Sequence, residues 1–274
     1  MRSTPSSVAH WHRSGSLALR LGILALCLGL LASIAFVAFP GIDLEVSRLF
    51  FIGNRRFFGS IGWVKVLRNA FAGSFYLCIA AVVAGLILTG ARGRSWLRLD
   101  FAQWAFLAIA LAVGPGLVAN AAFKDHWGRA RPNAIVEFGG EKAFTPAAVP
   151  ADQCDNNCSF VAGEAASVFL PFYAMALLLP EQAVLLLAAG TVCGLAAGLV
   201  RVAQGGHFLS DVIFAAIFML LTAVVVHWAV SLLAARRRPR QQEQCQNDRG
   251  QAWVRSGHPG EPAPRRVGAP RYRG

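Results

Sequence analysis

The chain has 274 residues, of which 55% are hydrophobic and 15% charged, and its formal net charge is +12. Soluble domains usually carry about 25% charged residues, so this composition excludes an ordinary soluble domain and predicts an integral membrane protein. The apolar runs consist mainly of Leu, Ala, Val, Ile and Phe. Because they lack the alternation that a membrane β-barrel needs, the predicted fold class is all-α.

Six apolar runs have about the 20-residue length of a membrane-spanning helix. They cover residues 17–39, 70–90, 101–123, 160–179, 183–200 and 212–234. We expect residues 17–235 to form one integral-membrane six-helix bundle, after a cytoplasmic N-terminal segment of residues 1–16. A cleavable signal sequence is the alternative for the first run. That run is longer than a usual signal core, and no small-x-small cleavage site follows it.

Basic residues close to the span ends predict the orientation of the bundle. Arginines cluster before the first span, between the second and third spans, and after the sixth: Arg2, Arg13, Arg20, Arg92, Arg94, Arg98, Arg236, Arg237, Arg238 and Arg240. An even number of spans places these clusters on one side, which we expect to be cytoplasmic. Residues 41–69 are also basic but fall on the outer side, an inconsistency that Asp43 and Glu45 soften.

Residues 236–274 form a basic tail rich in Arg, Gly, Pro and Gln, a composition typical of a disordered cytoplasmic extension. The tail lacks interleaved aromatic residues, so we expect no nucleic-acid partner. Anionic lipid headgroups are the nearer partner.

Two of the six cysteines lie close together in the sequence "CDNNC", in the loop before the fourth span. On the predicted orientation, Cys154 and Cys158 face the non-cytoplasmic side, where disulfides persist. A disulfide between them is the first interpretation. A metal site is the weaker alternative, because no second pair of ligands lies nearby.

Three polar segments interrupt the apolar sequence at the outer ends of spans. They are residues 124–132 ("KDHWGRARP"), 158–167 ("CSFVAGEAAS") and 201–211 ("RVAQGGHFLSD"). Together they supply four cations, Lys124, Arg129, Arg131 and Arg201, and several glycines, among them Gly163, Gly205 and Gly206. Arginine suits phosphate because its planar fork bonds two oxygens at once. The cluster predicts a site for a lipid phosphate, although single interfacial cations often only reach toward headgroups.

His207 and Asp211 are four residues apart at the start of the sixth span, which places them on one helix face. A carboxylate that accepts one ring N–H leaves the other imidazole nitrogen able to attack phosphorus. The structural alternative is a helix start capped by Ser210 or Asp211. Capping alone explains neither His207 nor Arg201.

Two of these segments carry complete or nearly complete motifs of a known family. The first reads Lys124-x6-Arg131-Pro132, and the third reads Val200-Arg201-x5-His207-x3-Asp211, with valine in place of serine. In order and spacing they resemble the type 2 phosphatidic acid phosphatase superfamily. The resemblance implies that Lys124, Arg131 and Arg201 bind phosphate, that His207 is the nucleophile and that Asp211 orients it. It also implies catalysis without a metal ion or cofactor.

The middle motif of that family, Pro-Ser-Gly-His, reads Val161-Ala162-Gly163-Glu164 here. Gly163 keeps its phosphate-binding position, the serine hydroxyl is lost at Ala162, and Glu164 stands where a histidine protonates the leaving group. A protonated glutamate could serve as that acid. Alternatively, an ionised Glu164 could pair with an arginine, or could simply favour the N-terminus of its helix.

The segment "FGGEKAFTP", residues 138–146, is similar to the 4′-phosphatase branch of lipid A phosphatases. The favoured function is therefore a multi-pass phosphatase of a bacterial inner membrane, with its site facing the periplasm. It would remove a phosphate monoester from lipid A, at the 4′-position rather than the 1-position, through a phosphohistidine. Phosphatidylglycerophosphate, phosphatidic acid and undecaprenyl pyrophosphate remain alternative substrates. A lipid phosphotransferase, a non-catalytic lipid-phosphate binder and a transporter remain alternative functions, and the oligomeric state stays open.

Overall fold

A computed structural model describes the backbone of residues 6–60 and 62–255 and the side chains of residues 14–59 and 62–233. The α-helices of this described part are α1 Ser6–Ala38, α2 Gly41–Arg48, α3 Gly62–Arg92, α4 Phe101–Leu111, α5 Gly163–Leu178, α6 Ala183–Ala203 and α7 Leu209–Arg255. Strands β1 Phe51–Gly53 and β2 Arg56–Phe57 pair antiparallel, with Phe51 opposite Phe57. Short 3₁₀ turns cover Phe58–Ser60, Pro132–Ala134, Val136–Phe138 and Pro180–Gln182.

The structure confirms the all-α membrane fold but changes one of the predicted spans. Helical segments long and apolar enough to cross a bilayer are Ser14–Ala38, Gly62–Arg92, Phe101–Lys124, Pro180–Ala203 and Leu209–Leu233. The predicted span 160–179 is instead α5, which has 16 residues. At 1.5 Å per residue α5 is about 24 Å long, less than the hydrocarbon thickness of about 30 Å. It begins only at Gly163, because Ala162 is extended and donates its N–H to the carbonyl of Asp211 at 3.2 Å.

Helix α5 lies inside the bundle rather than against lipid. Of its 16 residues, 11 are buried, whereas α1 and α3 leave many large apolar side chains exposed. The outer helices therefore present the apolar surface that a membrane protein turns toward lipid. The compact unit that holds α5 ends at Trp228 within α7. The proposed division into residues 1–16, 17–235 and 236–274 stays a prediction, and residues 256–274 of the tail lie outside the described part.

Helix α4 continues into a π-helical segment, Ala112–Lys124. Asp100 and Gln103 form a capping box at the start of α4, with both hydrogen bonds at 2.9 Å. Pro115 lies in the π-helical segment and lacks a backbone donor, while its carbonyl accepts from the side-chain amide of Asn120 at 2.7 Å. Stretches of π-helix often occur at functional sites, and this one ends at Lys124.

A buried apolar cluster joins the β1–β2 hairpin to the long loop between α4 and α5. It contains Phe57, Ala130, Ile135, Phe138 and Phe208. Phe138 is buried and packs against Phe57 with ring centroids 5.3 Å apart. The start of the segment 138–146 is thus part of the packed framework beneath the polar segments.

Candidate active site

His207 lies in the short loop between α6 and α7 and is almost completely buried. Its Nδ1 is 2.5 Å from the carbonyl oxygen of Ser159 and 3.7 Å from Oδ2 of Asp211. Because a carbonyl oxygen can only accept, this hydrogen bond assigns the proton to Nδ1. The other nitrogen, Nε2, then keeps its lone pair, which is the form that a nucleophile needs.

The surroundings of His207 favour the neutral imidazole. Burial lowers the pKa of His207 below its ordinary value, although the negative charge of Asp211 acts in the opposite direction. The positive charges of Arg201 and Lys124 lower this pKa further. At neutral pH the imidazole is therefore uncharged.

Asp211 is the centre of a buried hydrogen-bond network. Its carboxylate accepts from Nη1 of Arg129 at 2.5 Å, from the hydroxyl of Ser159 at 2.5 Å and from the N–H of Phe208 at 2.8 Å. The bond from Phe208 caps the first turn of α7. Asp211 therefore has the helix-capping role that the sequence offered as the structural alternative. The nearest partner of His207 Nδ1 is the Ser159 carbonyl, so Asp211 acts on His207 chiefly through Ser159 and through its charge.

Arg129 is fully buried, which corrects the expectation that it is one of the interfacial cations. It donates from Nη2 to Asp43 at 2.8 Å, from Nη1 to Ser210 at 2.9 Å and from Nε to the carbonyl of Thr145 at 2.8 Å. Its guanidinium also lies 4.2 Å from the ring centroid of Phe208. Two buried carboxylates and this ring draw Arg129 inward, so it supports the site from beneath.

Asp43 of α2 completes this layer, and sequence reasoning gave it no role in the site. It is buried, accepts from the N–H of Ser210 at 2.9 Å and also accepts from the Ser210 hydroxyl. Burial raises the pKa of Asp43, whereas the positive charge of Arg129 lowers it. Its only sequence signal was a carboxylate, two residues before Glu45, in the otherwise basic segment between two spans.

Arg131 is held by the loop that the two cysteines close. Cys154 and Cys158 are bonded through their sulfur atoms. The carbonyl of Asn157, inside this loop, accepts from Nε and Nη2 of Arg131 at 3.0 and 2.6 Å. Burial lowers the pKa of Arg131 below its ordinary value. The loop thus fixes the direction of a partly desolvated guanidinium.

Lys124 lies beside Gly163, the residue of the middle motif that survives. A Cβ atom at Gly163 would lie 3.0 Å from Nζ of Lys124 and 3.1 Å from Oδ1 of Asn120. Glycine therefore makes room for the ammonium group at the start of α5. Lys124 also interacts electrostatically with Arg131 and Arg201, so the predicted phosphate-binding cations lie together.

Glu164 is paired with two arginines. Its Oε1 is 2.7 Å from Nη2 and 3.0 Å from Nε of Arg68, and its Oε2 is 3.1 Å from Nε of Arg201. Arg201 also donates to Oε1 of Gln204 at 2.5 Å. Glu164 occupies the first turn of α5, where the helix dipole favours a carboxylate. Both alternatives weighed for Glu164, pairing and helix-end placement, are therefore seen together.

Arg68 of α3 also belongs to the site, and no motif in the sequence around it predicted this. The one related signal was the basic character of residues 41–69 on the outer side, which contradicted the simple orientation rule. The contact with Glu164 explains why a basic residue lies on that side.

Gly205 shapes the turn between Arg201 and His207. Its φ is +64°, and a Cβ atom there would lie 2.5 Å from Cδ2 of Phe57. A left-handed conformation and this contact both favour glycine. The turn is fixed further because the N–H of Gly206 donates to the carbonyl of Arg201 at 3.0 Å.

Ala162 precedes α5 and provides no side-chain cap for its first turn. The partly positive N-terminus of α5 lies next to Lys124, so it adds to the attraction for an anion. The arrangement as a whole can hold a phosphate group next to a neutral imidazole.

Comparison with known proteins agrees with this chemistry. The model of the PAP2 superfamily matches residues 101–235, which contain the three polar segments. A lipid A 4′-phosphatase of Francisella tularensis subsp. novicida (strain U112) is 38% identical over 208 residues, which are 75% of this chain and 93% of that protein. The chain belongs to the PAP2 superfamily.

Two further relatives of this PAP2 protein are lipid A 4′-phosphatases of Rhizobium. That of Rhizobium leguminosarum is 32% identical over 193 residues, or 65% of this chain and 82% of the relative. That of Rhizobium etli is 32% identical over 191 residues, or 65% of this chain and 74% of the relative. No solved structure matches the chain significantly.

Proposed function

We propose that this PAP2 protein is an integral-membrane lipid A 4′-phosphatase that works through a phosphohistidine on His207. The observation that carries the proposal is the 38% identity over 93% of a lipid A 4′-phosphatase. The site supports it independently, because a neutral imidazole lies among cations that attract a phosphate monoester.

In the first step, Nε2 of His207 attacks phosphorus and the bond from phosphorus to the sugar oxygen breaks. The imidazole becomes positively charged while Nδ1 keeps its proton on the Ser159 carbonyl. The carboxylate of Asp211, 3.7 Å from Nδ1, stabilises that charge. A buried carboxylate near Nδ1 thus stabilises the positive charge that forms when Nε2 attacks.

Lys124, Arg131 and Arg201 bind the phosphate oxygens and the negative charge that develops during transfer. Nε and Nη2 of Arg131 are engaged by Asn157, so we assign Nη1 to the phosphate. Because these cations are already fixed in place, little reorganisation is needed during the reaction. Removing one of them should lower turnover on the order of 100- to 1000-fold, by analogy with the loss of an oxyanion donor.

Glu164 is the proposed acid. Without substrate it is ionised and holds Arg68 and Arg201. A bound phosphate competes for Arg201 and places negative charge beside Glu164, which favours protonation of the carboxyl group. The acid then gives its proton to the leaving sugar oxygen. In the second step the carboxylate takes a proton from water, which attacks phosphorus, releases inorganic phosphate and frees His207.

The proposed location is a bacterial inner membrane with the site toward the periplasm. The basic cluster between α3 and α4 is at the opposite end of α3 from Arg68, and Lys124 is at the far end of the π-helical segment that continues α4. The rule for basic residues near span ends then supports a periplasmic site. The Cys154–Cys158 disulfide supports the same side, because disulfides persist outside the cytoplasm.

The test is mass spectrometry of lipid A after incubation with the purified protein in detergent. We expect loss of one HPO₃ from lipid A and from a form that carries only the 4′-phosphate, but not from a form that carries only the 1-phosphate. His207→Ala should abolish both the release and any acid-labile phosphoprotein. Release by His207→Ala at the wild-type rate would contradict the nucleophile assignment, and action on phosphatidic acid alone would contradict the substrate.

A further inference from the structure

A basic cleft of about 530 Å³ lies beside the site, within the volume range of small-ligand pockets. Five cations line it: Arg55, Arg56, Lys65, Arg68 and Arg201. None of its lining residues is acidic. Such a concentration of positive charge in a concave surface attracts anions.

Two separate elements bring these cations together. Lys65 and Arg68 are three residues apart on α3, which places them on one helix face. Arg55 and Arg56 lie at the turn of the β1–β2 hairpin, where Asn54 and Arg55 have positive φ angles of 51° and 59°. The cleft is therefore lined by residues of a hairpin turn and of a helix.

Most of the charge in this cleft is not compensated by the protein. Among the described side chains, Arg56 and Lys65 form no ion pair. Arg55 reaches Glu141 only at 4.0 Å, and both side chains are more than half exposed. A pair of that kind contributes little, so an external anion is the natural partner of the cleft.

The cleft and the proposed phosphate site share residues. Arg68 and Arg201 line the cleft, and both also contact Glu164. An anion in the cleft is therefore a close neighbour of a phosphate next to His207, and one molecule can occupy both places.

We propose that this cleft binds a second anionic group of the same lipid headgroup, a phosphate or a carboxylate apart from the phosphate that is removed. The substrate class is then lipids with at least two negatively charged headgroup substituents. This inference rests on the proposed function, since it assigns the specificity of that same site. Arg55, Arg56 and Lys65 are specificity residues that act on binding, whereas Arg201 serves both groups.

The decisive measurement compares two substrates in neutral detergent micelles: lipid A with both phosphates, and the form that carries only the 4′-phosphate. We expect wild-type kcat/KM to be about 10-fold or more higher for the first substrate, from the worth of a charge-assisted hydrogen bond. In the double variant Arg56→Gln/Lys65→Gln this ratio should fall toward one, chiefly through KM. Arg48→Gln changes an exposed arginine outside the cleft and should keep the wild-type ratio.

The outcomes separate the two proposals. If wild-type protein releases phosphate from neither lipid, the proposed function is wrong. If it acts on both lipids with equal kcat/KM, or if the double variant loses activity equally on both, the cleft does not bind a second anionic group of the substrate. If the effect of the double variant depends on anionic lipid added to the micelles and not on the second phosphate, the cleft binds a neighbouring lipid and the inference fails.

Discussion

Replacing Arg129 by methionine should unfold the protein at a markedly lower temperature. The substitution keeps a long apolar stem but removes the guanidinium that contacts Asp43 at 2.8 Å and Asp211 at 2.5 Å. All three side chains are buried. The two carboxylates would lose their shared cation while water stays excluded. The segment 124–132 would also lose the polar link that holds it to α2 and α7.

The expected size follows from the burial of this triad. Breaking a buried ion pair by removing one partner costs about 3–5 kcal/mol, because a buried charge is left uncompensated. At roughly 2–4 °C per kcal/mol for a chain of this size, Tm should fall by about 6–20 °C. Tryptophan fluorescence of the protein in detergent, followed on heating, measures this shift. Arg48→Met is the matched control, because Arg48 is 57% exposed and its only ion pair among the described side chains is with Glu45.

A second substitution distinguishes lost charge compensation from lost packing. In the Arg129→Met background, Asp43→Asn removes one uncompensated carboxylate, so it should cost less than Asp43→Asn costs in the wild type. Coupling between contacting residues reaches about 3 kcal/mol, which the thermal shifts can resolve. A Tm for Arg129→Met within about 2 °C of wild type, or strict additivity with Asp43→Asn, would refute the view that this network stabilises the site.

Three further predictions concern the chemistry. Glu164→Gln should lower kcat on lipid A by about 100- to 10,000-fold, yet much less on p-nitrophenyl phosphate, whose leaving group needs no proton; equal losses on both would exclude Glu164 as the acid. The proposed mechanism needs neutral His207, and burial lowers the pKa of His207, so kcat/KM should begin to fall only when the pH decreases below the ordinary histidine pKa of about 6.5. A fall in kcat/KM that begins above that pH would contradict the burial argument. The double variant Cys154→Ser/Cys158→Ser should raise KM with only a small fall in Tm, because the loop orients Arg131 through Asn157. An unaltered KM would show that Arg131 does not depend on this loop.

The residues proposed to bind phosphate could be predicted because they occur within short motifs of fixed spacing. Lys124 and Arg131 lie seven residues apart around a span end, and Arg201 and His207 flank a glycine turn, so local geometry alone brings each pair near the site. The all-α membrane fold followed equally directly from apolar length.

The supporting residues could not be found in this way. Arg129 belongs to the same motif region as Arg131, yet it turns inward because Asp43, 86 residues earlier in the chain, is buried beneath it. Such a pairing depends on the tertiary packing of α2 under the loop, and no local spacing encodes it. Likewise, the polar segment 158–167 marked the outer end of the predicted span 160–179 but did not show where its helix begins, since Ser159 and Ala162 are fixed by contacts with Asp211.

The site consists of two charged layers with different consequences for mutation. The outer layer has four cations and one carboxylate, Lys124, Arg68, Arg131, Arg201 and Glu164, so its net charge is +3, which a phosphate dianion would lower to +1. The inner layer, Asp43, Arg129 and Asp211, is already paired and buried. Loss of an outer cation removes repulsion as well as binding, so it should impair activity while sparing, or even raising, Tm. Loss of an inner group should lower kcat and Tm together, because the same contacts hold His207 and the fold around it.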